Sequence, residues 1–217
     1  MTSRLIVFDL DGTLIDSRRD LADSANAVLR ESGADPLPEE TIGHMVGDGA
    51  ARLLARAFVA AGREQPPDAL DRFLEIYSRR LLDHTRPYPQ VPQVLDELNT
   101  RGPLAVLTNK PLDATRRILA GLNLARYFSH DSVIGGDGPF PRKPDPAGLR
   151  YLIAGAGAEP QTTTLVGDSL IDWNTAQNAS THVCLARYGF GFEGFPLGRL
   201  SDGSFLVDSP SELLGVL

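Results

Sequence analysis

The junction spanning residues 4–13 constrains this chain of 217 residues more than any other feature. Arg4–Phe8 reads RLIVF, a short, β-branched, apolar run of the kind buried on both faces inside a parallel sheet. It leads directly into Asp9-Leu10-Asp11-Gly12-Thr13. Two carboxylates at i and i+2 face the same way while the backbone stays extended. Held together, they repel unless one takes a proton or a cation joins them. Gly12 then lets the chain turn away.

The remaining periodicity fits this start. From Ser17 the apolar positions Leu21, Ala25, Val28 and Leu29 fall at helical spacing, with Gly33 as a stop. Leu54, Ala57, Phe58 and Ala61 mark a second helix, and Leu70, Phe73, Leu74, Tyr77 and Leu81 a third. Residues 17–84 therefore read as wholly helical. His84–Pro89, with two prolines, reads as a linker. Beyond it, strand candidates at Leu104–Leu107, Ser132–Ile134, Thr164–Val166, His182–Ala186 and Phe205–Val207 alternate with helices. Ser209-Pro-Ser-Glu212 has the form of a capping box opening a terminal helix. The pattern predicts an α/β fold with a Rossmann-like, mostly parallel sheet. Residues 1–16 and 85–217 would form this core, and residues 17–84 an inserted α-helical cap domain.

Ligands of an open parallel sheet sit beyond the carboxyl ends of its strands. Four stretches stand there: Asp9-x-Asp11-Gly-Thr, Thr108-Asn109-Lys110, Arg142-Lys143-Pro144, and Gly167-Asp168-Ser169-Leu-Ile-Asp172. Thr108, Asn109 and the first N–H groups of the following helix are suited to cradling a phosphoryl group. Asp9, Asp11, Asp168 and Asp172 against one lysine, Lys143, put a formal −3 at one sheet edge. A phosphate monoester adds roughly −2. Such a site needs a divalent cation, and oxygen donors at a phosphate site favour Mg²⁺.

The rest of the composition narrows the class. Lys and Arg total 21 against 28 Asp and Glu, a net charge of −7. That opposes broad binding to nucleic acid or an anionic membrane. No apolar run approaches the roughly 20 residues of a membrane span. The single cysteine, Cys184, excludes an intrachain disulfide and fits a reducing, cytoplasmic setting. The four histidines show no metal-ligand spacing.

These four stretches, in this order, resemble the haloacid dehalogenase superfamily, and the resemblance covers nearly the whole chain, helical cap included. Within it, Val46-Gly-Asp-Gly-Ala50, Thr108-Asn-Lys-Pro111, Ile134-Gly-Gly-Asp137 and Tyr188-Gly-Phe190 resemble the phosphoglycolate phosphatase branch. The resemblance implies a Mg²⁺-dependent phosphomonoesterase with Asp9 as nucleophile and Asp11 as general acid and base. It implies a metal held by Asp9, the Asp11 backbone carbonyl and Asp168. Thr108 and Asn109 would bind the phosphoryl oxygens, Lys143 would offset charge, and Asp172 would orient Lys143 or a metal-bound water. In the cap, Gly47 and Gly49 precede a helix, and Arg52 one turn in is placed to fork onto a carboxylate. The expected partner is a small phosphorylated acid such as 2-phosphoglycolate. Another small phosphate, or a mutase reaction, stays open. One departure is Asn178-Ala-Ser180, where relatives carry Ala-Gly at the helix end.

Overall fold

The computed structural model describes residues 3–200 and 203–217. Its main sheet has six parallel strands in the order β5-β4-β1-β6-β7-β8. These are β1 (Ser3–Phe8), β4 (Leu104–Leu107), β5 (Val133–Ile134), β6 (Ala158–Gly167), β7 (His182–Ala186) and β8 (Ser204–Val207). A second, two-stranded sheet pairs β2 (Ile15–Asp16) antiparallel with β3 (Arg86–Pro87). The helices are α1 (Arg18–Glu31), α2 (Glu39–Gly43), α3 (Ala50–Ala60), α4 (Ala69–Arg80), α5 (Val91–Arg101), α6 (Leu112–Gly121), α7 (Ala147–Gly155), α8 (Leu170–Ala179) and α9 (Leu213–Val216).

The central strands are buried on both faces, as their apolar runs require. Ile6 and Phe8 of β1, with Leu104 and Val106 of β4, join one apolar cluster. Leu5, Val7, Ala105 and Leu107 point to the opposite one. The first cluster takes Val94 and Leu95 from α5, Ile118 from α6 and Leu213 from α9. The second takes Leu149 and Leu152 from α7 and Ala176 from α8. The result is a sheet between two helical layers. The first cluster also runs without a break into the cap through Leu21, Leu53, Leu54, Phe58 and Phe73. Burying each such side chain is worth about 1.5–3 kcal/mol, so cap and sheet share one apolar interior. Among the described residues, no helix is long and apolar enough to cross a membrane.

β1 is the switch point of the sheet. It pairs with β4 on one side and β6 on the other, Phe8 lying level with both Val106 and Val166. Residues that follow these three strands therefore converge, which sets the position of the site.

Several local features differ from the sequence expectation. The segments on either side of the cap, read as a loop and a linker, pair as the β2–β3 ribbon. Two-residue strands carry no alternation to detect. Asp20, buried at the start of α1, takes hydrogen bonds from the His84 and Thr85 backbones and the Thr85 hydroxyl, so α1 clamps the returning strand. The short helix α2 buries only Ile42 and Gly43 and leaves no readable period. β6 extends well before Thr164, through a half-exposed stretch that lacks an apolar signature. At the C-terminus the chain first makes a 3₁₀ turn, Pro210–Glu212, before α9. Glu212 there accepts from the Asp208 N–H and the Ser209 hydroxyl instead of closing the expected box.

Ser180, the departure noted above, caps α8 at φ 59° and ψ 38°. This left-handed conformation costs a residue with a Cβ more than it costs glycine. Ser180→Gly is therefore expected to stabilise the protein by about 0.5–1 kcal/mol, read as a higher midpoint in urea denaturation.

Candidate active site

The site is built at the ends of the three central strands. Asp9 follows β1, and its N–H is held by the Val166 carbonyl of β6 at 2.8 Å. Its Oδ1 accepts from the Leu10 N–H at 2.7 Å and from Lys143 Nζ at 2.9 Å. Oδ2 meets no donor among the described residues. Asp168 follows β6 and accepts from the Gly191 N–H at 2.8 Å. Asp172 sits in the first turn of α8. Its Oδ1 holds Lys143 Nζ at 2.6 Å, and its Oδ2 takes the Ser169 N–H and hydroxyl. The N-cap of α8 is thus Ser169, in a capping box with Asp172, and the Asp168 carboxylate is left for the site. Asp9, Asp168 and Asp172 are all buried, and one oxygen from each lies within 4.8 Å of the others.

Asp11 turns differently. Its carboxylate accepts from the Ser17 hydroxyl at 2.5 Å and from Lys110 Nζ at 2.9 and 3.0 Å. Lys110 is buried beside Tyr77 of the cap, its Nζ 4.6 Å from the ring centroid. The sequence count of one lysine against four carboxylates needs correcting, because Lys110 brings a second buried ammonium and a formal −2. Periodicity could not supply this, since Lys110 lies in a loop and Tyr77 reads as one more apolar position of α4. The Thr-Asn-Lys string was the only signal.

Thr108 and Asn109 follow β4, but they do not open a helix. α6 starts at Leu112, whose N–H is taken by Asp137 Oδ1 at 2.7 Å. The expected contribution of helix N–H groups to a phosphoryl cradle is therefore absent. The backbone N–H groups of Asp11 and Asn109, by contrast, donate to no described residue. The Asn109 side chain bridges elements: Nδ2 donates to the Gly47 carbonyl of the cap at 2.9 Å and to the Lys143 carbonyl at 3.0 Å, while Oδ1 is buried without a donor among the described residues.

Gly47 and Gly49 lead into α3 and line the cleft together with Asp9, Asp11, Thr108, Lys110 and Asp168. Its apolar side comes from Leu21, Leu53, Phe73 and Phe190. Arg52 is exposed and is not among the residues lining it. α3 directs that side chain outward, and the expectation of a carboxylate fork there is not met. Asp48, which would have opposed an anion had it faced inward, pairs with Arg56 instead.

The electrostatics follow from burial and crowding. Desolvation, countered by Lys143 and reinforced by Asp172, raises the Asp9 carboxyl from 3.8 to about 6. Burial, then Asp172 and Asp9, push Asp168 well above the ordinary carboxylate range. Burial alone would discharge Lys143, but Asp172 and Asp9 outweigh it and keep the ammonium charged. The donors clustered here are all oxygens, the chemistry of a hard divalent cation. Backbone packs tightly around them: a Cβ on Gly12, which sits at φ +83°, or on Gly189 would run into the Asp168 carboxylate. The residues present thus fit a small cation.

Known proteins agree with this geometry. Residues 6–186 match the family model described as haloacid dehalogenase-like hydrolase. A phosphoglycolate phosphatase of Rhodospirillum rubrum is 40% identical over 88% of this chain and 82% of its own length. One from Aquifex aeolicus is 33% identical over 95% and 97%. The crystal structure of a predicted phosphoglycolate phosphatase from Haemophilus somnus superimposes with a TM-score of 0.90, at 31% identity, covering 100% of this chain and 98% of that one. The chain belongs to the haloacid dehalogenase-like hydrolase family. Within that family it is a phosphoric monoester hydrolase acting on a small-molecule phosphate.

Proposed function

We propose that the protein hydrolyses 2-phosphoglycolate to glycolate and phosphate through a phosphoaspartate on Asp9. The observation that carries this reading is the Asp9 carboxylate itself. It is buried at the end of the central strand, with Oδ1 pinned by Leu10 and Lys143 and Oδ2 meeting no donor among the described residues.

In this reading Asp9 Oδ2 attacks phosphorus in line with the ester oxygen, and the P–O bond to the leaving group breaks as the P–O bond to Asp9 forms. Asp11 gives its proton to the departing alkoxide, then takes one from the water that cleaves the acyl phosphate. The Thr108 hydroxyl and the Asn109 backbone N–H donate to the phosphoryl oxygens. Lys143, held by Asp172, balances the charge of Asp9 and the phosphoryl group. Asp9, the Asp11 carbonyl and Asp168 would hold Mg²⁺, which supplies the positive charge that lets a dianionic ester enter beside four carboxylates. Residues 17–84 act as the cap, with Gly47 and Gly49 closing over the substrate and excluding water. Support for the substrate comes from relatives bearing that activity in their names.

Phosphate release is the test. With 2-phosphoglycolate, ribose 5-phosphate and pyrophosphate offered in turn, kcat/KM is expected to be highest for 2-phosphoglycolate, and chelation of divalent ions is expected to remove it. Equal rates across the panel would reject the substrate, and full activity in EDTA would reject the cation.

A further inference from the structure

We propose that Lys110 and Tyr77 form the subsite that recognises the carboxylate of the substrate. This rests on the phosphoglycolate reading and deepens it, because the phosphoryl-handling residues alone do not distinguish that acid from a neutral phosphate ester.

Both residues line the cleft, and both are at least nine-tenths buried. A lysine ammonium has three donors. Its hydrogen bonds to the Asp11 carboxylate leave one proton on the side of Tyr77, whose ring and hydroxyl it approaches. The Tyr77 hydroxyl oxygen lies close enough to that ammonium to accept from it, and the hydroxyl's own hydrogen meets no acceptor among the described residues. A buried, unpaired donor costs about 1–3 kcal/mol. Burial holds the phenol protonated, its pKa raised to about 12, so it presents a hydrogen. The phenol hydrogen and the ammonium thus face one part of the cleft, beside the apolar side chains of Leu21, Leu74, Phe73 and Phe190. The group that satisfies an ammonium and a hydroxyl together is an anion with two acceptor oxygens.

Position sets the length of the ligand. Lys110 Nζ lies within 3.0 Å of both Asp11 oxygens, and Asp11 must reach the ester oxygen to protonate it. An anionic group touching both Lys110 and that neighbourhood has to sit within a bond or two of the leaving oxygen. A carboxylate on the carbon next to the ester oxygen meets this requirement, and a longer sugar phosphate does not. The same ammonium also stabilises the alkoxide as charge develops. The cap supplies Tyr77 and the core supplies Lys110, so the subsite is complete only when the two meet.

The experiment compares kcat/KM for 2-phosphoglycolate with that for 2-hydroxyethyl phosphate, its neutral analogue, in wild type and two variants. Lys110→Met is expected to lower the ratio about 30-fold, and Tyr77→Phe about 5-fold. Taking the ratio cancels any general damage to Asp11 that both substrates feel. If Lys110→Met fails to fold, as circular dichroism would show, the ratio in Tyr77→Phe decides. A wild-type enzyme without preference for the acid would reject the substrate reading. A wild-type preference that both variants retain would overturn this inference and leave that reading standing.

Discussion

Asp9→Asn is expected to lower kcat by about 10⁴-fold or more while the protein stays folded. The amide keeps an oxygen to accept from Leu10 and Lys143 but has no lone pair suited to attack phosphorus. The same substitution makes a second, less obvious difference. In the metal-free protein the Asp9 carboxyl is raised from 3.8 to about 6, chiefly by burial and also by Asp172, against the pull of Lys143. A raised acid is bound to its proton more tightly in the folded state, so ionising it works against folding. The penalty is absent below the unfolded value, grows as pH rises from 3.8 to about 6, and is complete above that. Asp9→Asn removes it. In EDTA at pH 7.5 the inactive variant should be more stable than wild type, by on the order of 2 kcal/mol. A variant that is both inactive and less stable would point to damaged packing, not a lost nucleophile.

The second large effect concerns the cation. Asp168 is shifted in the same direction as Asp9, by burial and by its two acidic neighbours. A divalent ion that binds the folded state only should relieve both shifts and stabilise in proportion to its occupancy. Mg²⁺ at a hundredfold excess over its dissociation constant contributes about 2.7 kcal/mol. For a chain of this size that is roughly 5–10 °C in Tm. Because the ion competes with protons, the shift should be large at pH 7.5 and fade as pH falls below about 6, where Asp9 holds its proton. Thermal melts at pH 5.0, 6.0 and 7.5, each with and without Mg²⁺, measure this. A shift independent of pH would mean that the ion binds away from the buried acids.

The strand-end logic was legible because it depends on order along the chain. Apolar, β-branched runs such as those of β1 and β4 need burial on both faces, and the structure gives it to them. Acids placed right after such runs are delivered to one edge by the parallel topology, whatever the details of the loops. Asp9 and Asp168 are close for that reason, and Lys143 and Asp172 arrive with them. What escaped the sequence depends on side-chain direction and long-range contact. Arg52 and Arg56 are four residues apart on one helix, yet the structure turns Arg56 onto Asp48 and leaves Arg52 in solvent. Nothing in the local sequence distinguishes Lys110 from a solvated charge, because its burial against Asp11 and Tyr77 is a long-range contact. The β2–β3 ribbon joins residues some seventy positions apart through two pairs, too few for any pattern.

The central claim, that phosphorus passes through a covalent bond to Asp9, has a direct test. The enzyme is mixed with ³²P-labelled 2-phosphoglycolate and Mg²⁺, quenched in acid within the first turnovers, and digested. Label should appear on the peptide containing Asp9, be lost on mild alkaline treatment, and be absent in Asp9→Asn. Turnover at the normal rate with no labelled protein, or with label on a different residue, would contradict the account.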